Sequence, residues 1–389
     1  MAIPTLTMIP SGYNTGKVYS VLPINGDGDF DFTRSSSATR VNKRGLIETV
    51  LSNVPRLDYS DGSCPSLLLE PQSANLIPYS ENFNNWGDTG VVVTSNATIS
   101  PSGELNADKL QSTTNNWRKN SSYTGINGTE YSFSIYAKLD TSTSTTTARI
   151  EMFRGTNSVS STFNLSTGSI SGSLDNTFIE NVGNGWYRIG GTYVANGTSN
   201  IFYLYPSSAY GSAGTMFFWG AQVEQQSHPT SIISTNGSPV TRDADTCFGA
   251  GNANLFDITQ GVIFLDAITF KGNYSFSLSN GTDSQKIVLI FYDYGQVRTY
   301  SSGCVSDFNS IAFNQRNKIA ISFKNNEYKT YINGSLASTD LNATIPTGMN
   351  VLNFSNKTGT ANYVEAKIYN TRVYNTILTD AELQQLTTI

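Results

Sequence analysis

The sequence predicts an all-β protein of two β-sandwich (jelly-roll) domains after an extended N-terminal segment, with one short C-terminal helix. Three observations predict it. Charged residues make up only 14% of the 389 residues, while 33 glycines accompany abundant Ser, Thr and Asn, a turn-rich composition suited to all-β modules. Apolar residues recur with period two, the signature of half-buried strands. Asn-Gly pairs punctuate these runs at 127–128, 196–197, 236–237, 280–281 and 333–334, each a candidate for the φ > 0 positions of a tight turn.

In chain order, residues 1–75 are polar, Arg-rich and poorly periodic, and are expected to be extended and sheet-poor, with LLLEPQSANLIPY packed on the sandwich that follows. Regular strands then fill 76–245. YSFSIYAK sets Tyr131, Phe133, Ile135 and Ala137 on one face and Ser132, Ser134, Tyr136 and Lys138 on the other, and IFYLYP near 201 behaves similarly. The Gly/Asp/Ala/Asn-rich stretch 236–254 reads as a connector. A second sandwich is expected over 250–389, where KIVLIFYDY reads as a strand and KIAISFKNNEYKTYINGSLAS as three consecutive antiparallel strands. The helix is LTDAELQQL at 378–386, opened by the capping-box order Thr379-x-x-Glu382.

Composition narrows function. A net charge of −5 argues against duplex nucleic acid, whose phosphates need a basic face. No apolar run reaches the roughly 20 residues that cross a bilayer, and MAIPTLTMIP lacks the basic start of a secretory signal, so neither membrane insertion nor signal-directed export is expected. Cys64, Cys247 and Cys304 are odd in number and widely spaced, which fits buried free thiols rather than a disulfide framework or a metal knuckle. The single histidine, His228, precedes Pro229 in a linker-like stretch with no G-x-S-x-G elbow nearby. Asp29, Asp31, Asp243 and Asp245 lie in Gly- or Ala-rich stretches, where Asp usually bonds the turn backbone. Calcium would suit such loops, although no D-x-D-x-D-G loop is present; no other cofactor and no catalytic residue is indicated.

What remains is binding chemistry. Sugars present apolar faces and polar edges, so their sites pair aromatic platforms with amide, carboxylate or guanidinium partners. Phe133, Trp186, Phe202 and Trp219 sit in apolar strand patterns and are expected in the core. The candidate glycan contacts are aromatics beside polar residues: Trp117 and Arg118 in TTNNWRKNSSY; Tyr136 and Lys138 on the non-core strand face, joined by Phe153 and Arg154 if those strands are neighbours; and Tyr292, Asp293, Tyr294, Arg298 and Tyr300 around a Gly-centred turn. Inter-subunit packing is the competing use of such surfaces.

DFTRSSSATRVNKRGLIETV at 31–50, with the stretch through LIPYSENF, resembles a segment of bacteriophage structural proteins such as tail fibres, head fibres and other virion appendages. The module holding GNGWYRIGGTYVANGTSNIFYLYP and ending in FFWGAQVEQQSHPTSIISTNGSPVTRDAD resembles jelly-roll carbohydrate-binding modules. The last, with YKTYINGSLAS and YVEAKIYNTRVYNTILTDAELQQL, is similar to concanavalin A-like (laminin-G-like) lectin domains, without the E-x-D-x-x-E spacing of endoglycanases on that fold. The resemblance implies a noncatalytic virion protein of fibre or receptor-binding type, assembled in the host cytoplasm and released by lysis. It also implies a homo-oligomer, with a trimer favoured, whose partners are other virion proteins and host cell-surface polysaccharide. Arg34, Arg40, Lys43 and Arg44 would then dock a neighbouring virion protein or sister subunit, the bland alternative being a solvated arm bridged to Glu48 and Asp58. Two other readings stay open: a purely structural head-fibre or capsid-decoration protein, and a polysaccharide depolymerase with an unrecognised carboxylate pair.

Overall fold

The computed structural model describes residues 2–112, 118–208, 212–256, 259–270, 272–282, 285–301, 304–356 and 362–389. The protein is all-β apart from short helical turns, and it divides into two compact units. One comprises Met1–Arg40, Val50–Pro71 and Asp243–Ile389; the other comprises Val41–Thr49 and Gln72–Arg242.

The Gln72–Arg242 unit is a jelly roll of two six-stranded antiparallel sheets. The first runs Gly87–Asp88, Lys119–Thr124, Ser199–Tyr205, Thr147–Phe153, Ser158–Asn164, Ile170–Gly172. The second runs Val91–Ile99, Leu105–Ser112, Gly214–Glu224, Glu130–Leu139, Trp186–Val194, Asp175–Gly183. Period-two alternation feeds one core from both, with Phe202, Leu204, Ile150 and Met152 meeting Phe133, Ile135 and Phe218. The strand Glu130–Leu139 departs from the half-buried expectation. Its Tyr131, Phe133, Ile135 and Ala137 enter the main core, yet Ser132, Ser134 and Tyr136 are buried as well. The cause is the connector after Glu224, which folds back over that face: Ile233 N–H donates to Gln222 Oε1 at 2.7 Å, and Asn75 Nδ2 donates to the Ile233 carbonyl at 2.8 Å. Ile232 thereby closes a second apolar cluster with Ala107, Tyr136, Trp186 and Trp219.

The other unit is a sandwich whose larger sheet runs Ser335–Asp340, Glu327–Ile332, Arg316–Lys324, Gln260–Thr269, Ala366–Tyr374, Ser66–Leu69, Leu57–Asp58. Its smaller sheet runs Cys304–Ser310, Gln296–Ser301, Lys286–Tyr292, Tyr274–Ser279, Val351–Asn353. The three strands expected over 318–338 are present in that order. The helix Asp380–Thr387 has its full capping box, with Glu382 N–H donating to Thr379 Oγ1 and Thr379 N–H to Glu382 Oε2. Leu383 and Leu386 cover Val262, Phe264 and Ala320.

The first 75 residues are not sheet-poor. One edge of the strand Ala366–Tyr374 pairs with Gln260–Thr269, and two pieces from far upstream fill the other: Leu6–Met8 opposite Val373–Thr371, and Leu67–Leu69 opposite Ile368–Ala366. Covering that edge satisfies its backbone groups. Leu6, Met8, Phe30, Phe32, Leu67 and Leu69 lie in this sandwich's core, so the LLL run packs there; Ile77, further along the same stretch, lies in the jelly-roll core.

The basic residues of this segment also differ from expectation. Arg34 is buried, with Nη1 2.9 Å from Asp245 Oδ1, Nη2 donating to the Leu51 carbonyl at 2.7 Å and Nε to the Ser36 carbonyl at 2.9 Å. Arg56, also buried, grips Asp245 Oδ2 and donates to Glu70 Oε2 at 2.6 Å and to the Thr39 carbonyl at 3.1 Å. Burial opposes the Arg56 charge, but Asp245 and Glu70 more than reverse this and hold its pKa above the ordinary arginine value. Asp245 is therefore an ion-pair partner rather than a turn cap. Arg40 is half-buried and donates to Tyr13 Oη at 3.1 Å. Lys43 and Arg44 alone keep the exposure a docking role requires, at the turn between Ala38–Val41 and Ile47–Val50. Cys64 is exposed where a buried thiol was expected, and Cys247 is buried.

Of the Asn-Gly turns, Asn333-Gly334 has both residues at positive φ, whereas at 127–128, 236–237 and 280–281 only the glycine does. Gly197 has no positive φ; a Cβ there would lie 2.9 Å from the Gly155 Cα, so close approach is what requires glycine.

Removing one partner of a buried ion network leaves uncompensated charge. Asp245→Ala should therefore lower stability by about 3–5 kcal/mol in urea unfolding of the full chain. Deleting residues 1–60 should uncover the edge at Thr371–Val373 and remove Leu6, Met8, Phe30 and Phe32 from the core, giving a protein that binds ANS and loses cooperative unfolding of this sandwich.

Candidate functional site

The first jelly-roll sheet turns one face inward and leaves the other uncovered by a second sheet. Pairing register sets its outward side chains in rows: Tyr205 opposite Arg149 and Thr162; Asn120, Tyr203, Glu151 and Ser160; then Ser122, Ile201, Phe153 and Ser158. Arg118, one residue before Lys119–Thr124, joins the first row. Gly87 borders Asn120 at the sheet edge, where a Cβ would meet Asn120 Oδ1 at 2.7 Å.

Arg118 organises this face. Its guanidinium carbon lies 3.6 Å from the Tyr203 ring centroid, a stacked cation–π contact, and Nη1 donates to Tyr205 Oη at 2.9 Å. Tyr205 in turn donates to Glu151 Oε2 at 3.0 Å, and Arg149 Nη2 donates to the same oxygen at 3.3 Å. Arg118 Nη1 lies 3.9 Å from Glu151 Oε1, so both guanidiniums converge on one carboxylate. Burial pushes the Tyr205 phenol up to about 12, the Arg118 hydrogen bond opposing and the Glu151 charge assisting. It therefore stays a neutral donor across the physiological range. The Arg118 and Arg149 side chains each retain 27% exposure, and Tyr203, Phe153 and Asn120 are half-exposed. Two arginines, a carboxylate, an amide and aromatic faces share a surface open to solvent, a combination suited to polyhydroxylated rings.

Of the sequence candidates, Arg118 lies in this site and Trp117 falls outside the described residues. Tyr136 is not an exposed contact: it is buried against Trp219, ring centroids 5.3 Å apart, because the connector covers its face. Lys138 is half-exposed with its ammonium 5.9 Å from the Trp186 ring. Phe153 and Arg154 cannot join Tyr136 and Lys138, since Thr147–Phe153 and Glu130–Leu139 belong to opposite sheets. Phe153 instead shares the Arg118 face, while Arg154 lies beyond its strand's far end and donates to Asn157 Oδ1 at 3.0 Å. Phe133, Trp186, Phe202 and Trp219 are buried, as expected.

In the other unit, Tyr292 and Tyr294 stack at 5.2 Å between centroids where the chain turns at Gly295, and Tyr294 is 61% exposed. Asp293 sits between them, its N–H donating to Asn273 Oδ1 at 3.4 Å, and Arg298 lies on the returning strand opposite Ile290. The Tyr300 side chain lies outside the described residues. Among the described residues no group of three or more His, Cys, Asp or Glu side chains that could hold a metal ion is present.

Sequence reasoning missed Tyr203, Tyr205, Arg149 and Glu151. Their signal was alternation itself: in NIFYLYP and ARIEMF the apolar residues at every second position point inward and these four point outward.

No protein-family model matches the chain, and no curated protein matches it. Solved structures with partial likeness include the Ruminococcus gnavus IT-sialidase CBM40 bound to α2,3 sialyllactose, 20% identical over 36% of this chain and 94% of that one, TM-score 0.31. Domain 4 of a GH43 extracellular arabinanase from Geobacillus stearothermophilus, in complex with arabinotriose, is 17% identical over 37% of this chain and 73% of that one, TM-score 0.29. A heptameric SAP-like pentraxin from Limulus polyphemus is 15% identical over 33% and 69%, TM-score 0.27. At such scores the likeness assigns neither ligand nor activity.

In a spectrophotometric titration, the difference between the wild-type protein and Tyr205→Phe should show a phenol ionising near pH 12. Ionisation near the ordinary value of 10 would place Tyr205 in open water.

Proposed function

We propose that this chain is a noncatalytic glycan-binding protein that uses its jelly-roll face, and that it serves as a fibre- or receptor-binding-type appendage of a phage virion. The observation that carries the binding reading is the Arg118 guanidinium held flat on Tyr203 and tied to the buried Tyr205, beside Glu151 and Arg149 on the sheet's outward face, with both arginine side chains 27% exposed. Nothing in the jelly-roll core needs this cluster, because the core is complete on the opposite face of the same strands. The stacked Tyr292–Tyr294 pair offers a second aromatic surface on the other sandwich. Adhesion would come from several copies engaging one cell surface, each site weak and the assembly strong. The virion role is supported by the resemblance of residues 31–83 to phage structural proteins, and oligomeric partners follow from that role.

The full chain is the right material for testing, because residues before 75 complete the sheet that ends at Tyr374. Titrated calorimetrically against soluble bacterial capsular and cell-wall polysaccharides, it should bind saturably, and Tyr203→Ala should weaken binding at least about tenfold, or about 1.4 kcal/mol, without changing the unfolding midpoint. Folded protein that binds none of them would overturn the glycan reading. Absence of the chain from density-banded particles after lysis of its source culture would overturn the virion reading.

A further inference from the structure

We infer that the jelly-roll face takes an anionic sugar, one bearing a carboxylate or a sulfate ester, received by the Arg118 and Arg149 guanidiniums while its apolar ring face lies on Tyr203 and Phe153; the inference rests on the glycan-binding reading above. Charge balance is the first argument. Among the described outward residues of the strands Lys119–Thr124, Ser199–Tyr205, Thr147–Phe153 and Ser158–Asn164, with Arg118 beside them, the charged groups are Arg118, Arg149 and Glu151. Lys119, the other cation of the first strand, points to the opposite side, where it is buried and paired with Asp88 at 3.2 Å. The face thus has an excess of one positive charge on a chain whose net charge is −5. A neutral sugar laid over it would strip water from an unmatched cation, which is unfavourable; an anionic sugar closes the balance as water leaves.

Donor inventory is the second. A guanidinium presents several N–H donors in a planar fork matched to carboxylate and sulfate oxygens. Among the described residues Arg118 uses one donor on Tyr205 Oη and Arg149 one on Glu151. Arg149 Nε has no hydrogen-bond partner among the described residues, so the Glu151 contact does not use up the guanidinium. Geometry is the third. The strands of Arg118 and Arg149 flank Ser199–Tyr205, placing their backbones about 10 Å apart, yet Arg118 Nη1 reaches across to within 3.9 Å of Glu151, which Arg149 bonds two residues along its own strand. Arg118 is also held in place by the Tyr203 stack and the Tyr205 phenol, so little of its freedom remains to be lost on binding.

The test measures binding of the full chain to matched oligosaccharides at low salt: oligogalacturonate and its methyl ester, hyaluronan tetrasaccharide and its methyl ester, and sulfated and desulfated chondroitin oligosaccharides. At least one acidic member should bind ten times or more tightly than its neutral or desulfated counterpart. That preference should shrink as salt is raised. It should be lost in Arg149→Gln and partly restored in Arg149→Lys, with unfolding midpoints unchanged for both. Which pair shows the preference separates the carboxylate from the sulfate source. Binding of the neutral members as tightly as the acidic ones overturns this inference and leaves the glycan reading standing. Failure of every acidic member while a neutral polysaccharide binds does the same. If nothing binds, in this set or among the capsular and cell-wall polysaccharides, both readings fall.

Discussion

Arg34, Arg56, Glu70 and Asp245 form an ion network closed off from water, and the unit that contains them depends on it. Removing two guanidiniums and two carboxylates from solvent is expensive unless each finds its complement, and here backbone carbonyls of Ser36, Thr39 and Leu51 take further donors. The Glu70 N–H donates to Asp245 Oδ2 at 3.0 Å, tying backbone into the same knot. Stretches near 34, 56, 70 and 245 must therefore arrive together. Their meeting brings the early strands to the edge of Ala366–Tyr374, and a displaced partner would leave a bare charge in the interior.

The jelly-roll face follows different rules. Its arginines keep 27% of their side-chain exposure while Tyr205 beneath them is buried, and the value of the arrangement lies in preorganisation. Tyr203 fixes the plane of Arg118, Tyr205 fixes its direction, and Glu151 draws Arg149 toward the same spot. Strands position Arg149, Glu151, Tyr203 and Tyr205, and Arg118 adjoins the start of Lys119–Thr124, so the spacing between cation and aromatic surface is set largely by sheet geometry.

Much of this was legible in the sequence where one element carried its own signal. Alternation disclosed the strands Glu130–Leu139, Ser199–Tyr205 and Arg316–Lys324, and Thr379-x-x-Glu382 disclosed the helix start. What escaped depended on partners distant in sequence. The early strands are two to four residues long, too short to display a period, and their pairing to residue 366 and beyond has no local trace. Tyr136 reads as outward by alternation, yet burial of the second face depends on a connector nearly a hundred residues later. Arg34 resembled a solvated basic residue because its acceptor, Asp245, lies 211 positions away. Arg149, Glu151, Tyr203 and Tyr205 were visible individually as outward residues; only the register of Thr147–Phe153 against Ser199–Tyr205 makes them neighbours.

The stretch Gln72–Arg242 starts and finishes side by side, since Ser73–Asn75 pairs antiparallel with Val240–Arg242. In sequence it is an insertion between Pro71 and Asp243 of the other unit. On the ribosome, the jelly-roll strands are complete once residue 242 has emerged, whereas Leu6–Met8 waits for its partner at 371–373. The jelly-roll strands can therefore pair before the other unit's larger sheet is complete, because that sheet joins segments made early to Ala366–Tyr374. Because Gln72–Arg242 begins and ends on one antiparallel pair, its strands can vary while the pairing made by the other unit's own segments stays intact, a route by which binding preference can diversify on a constant frame.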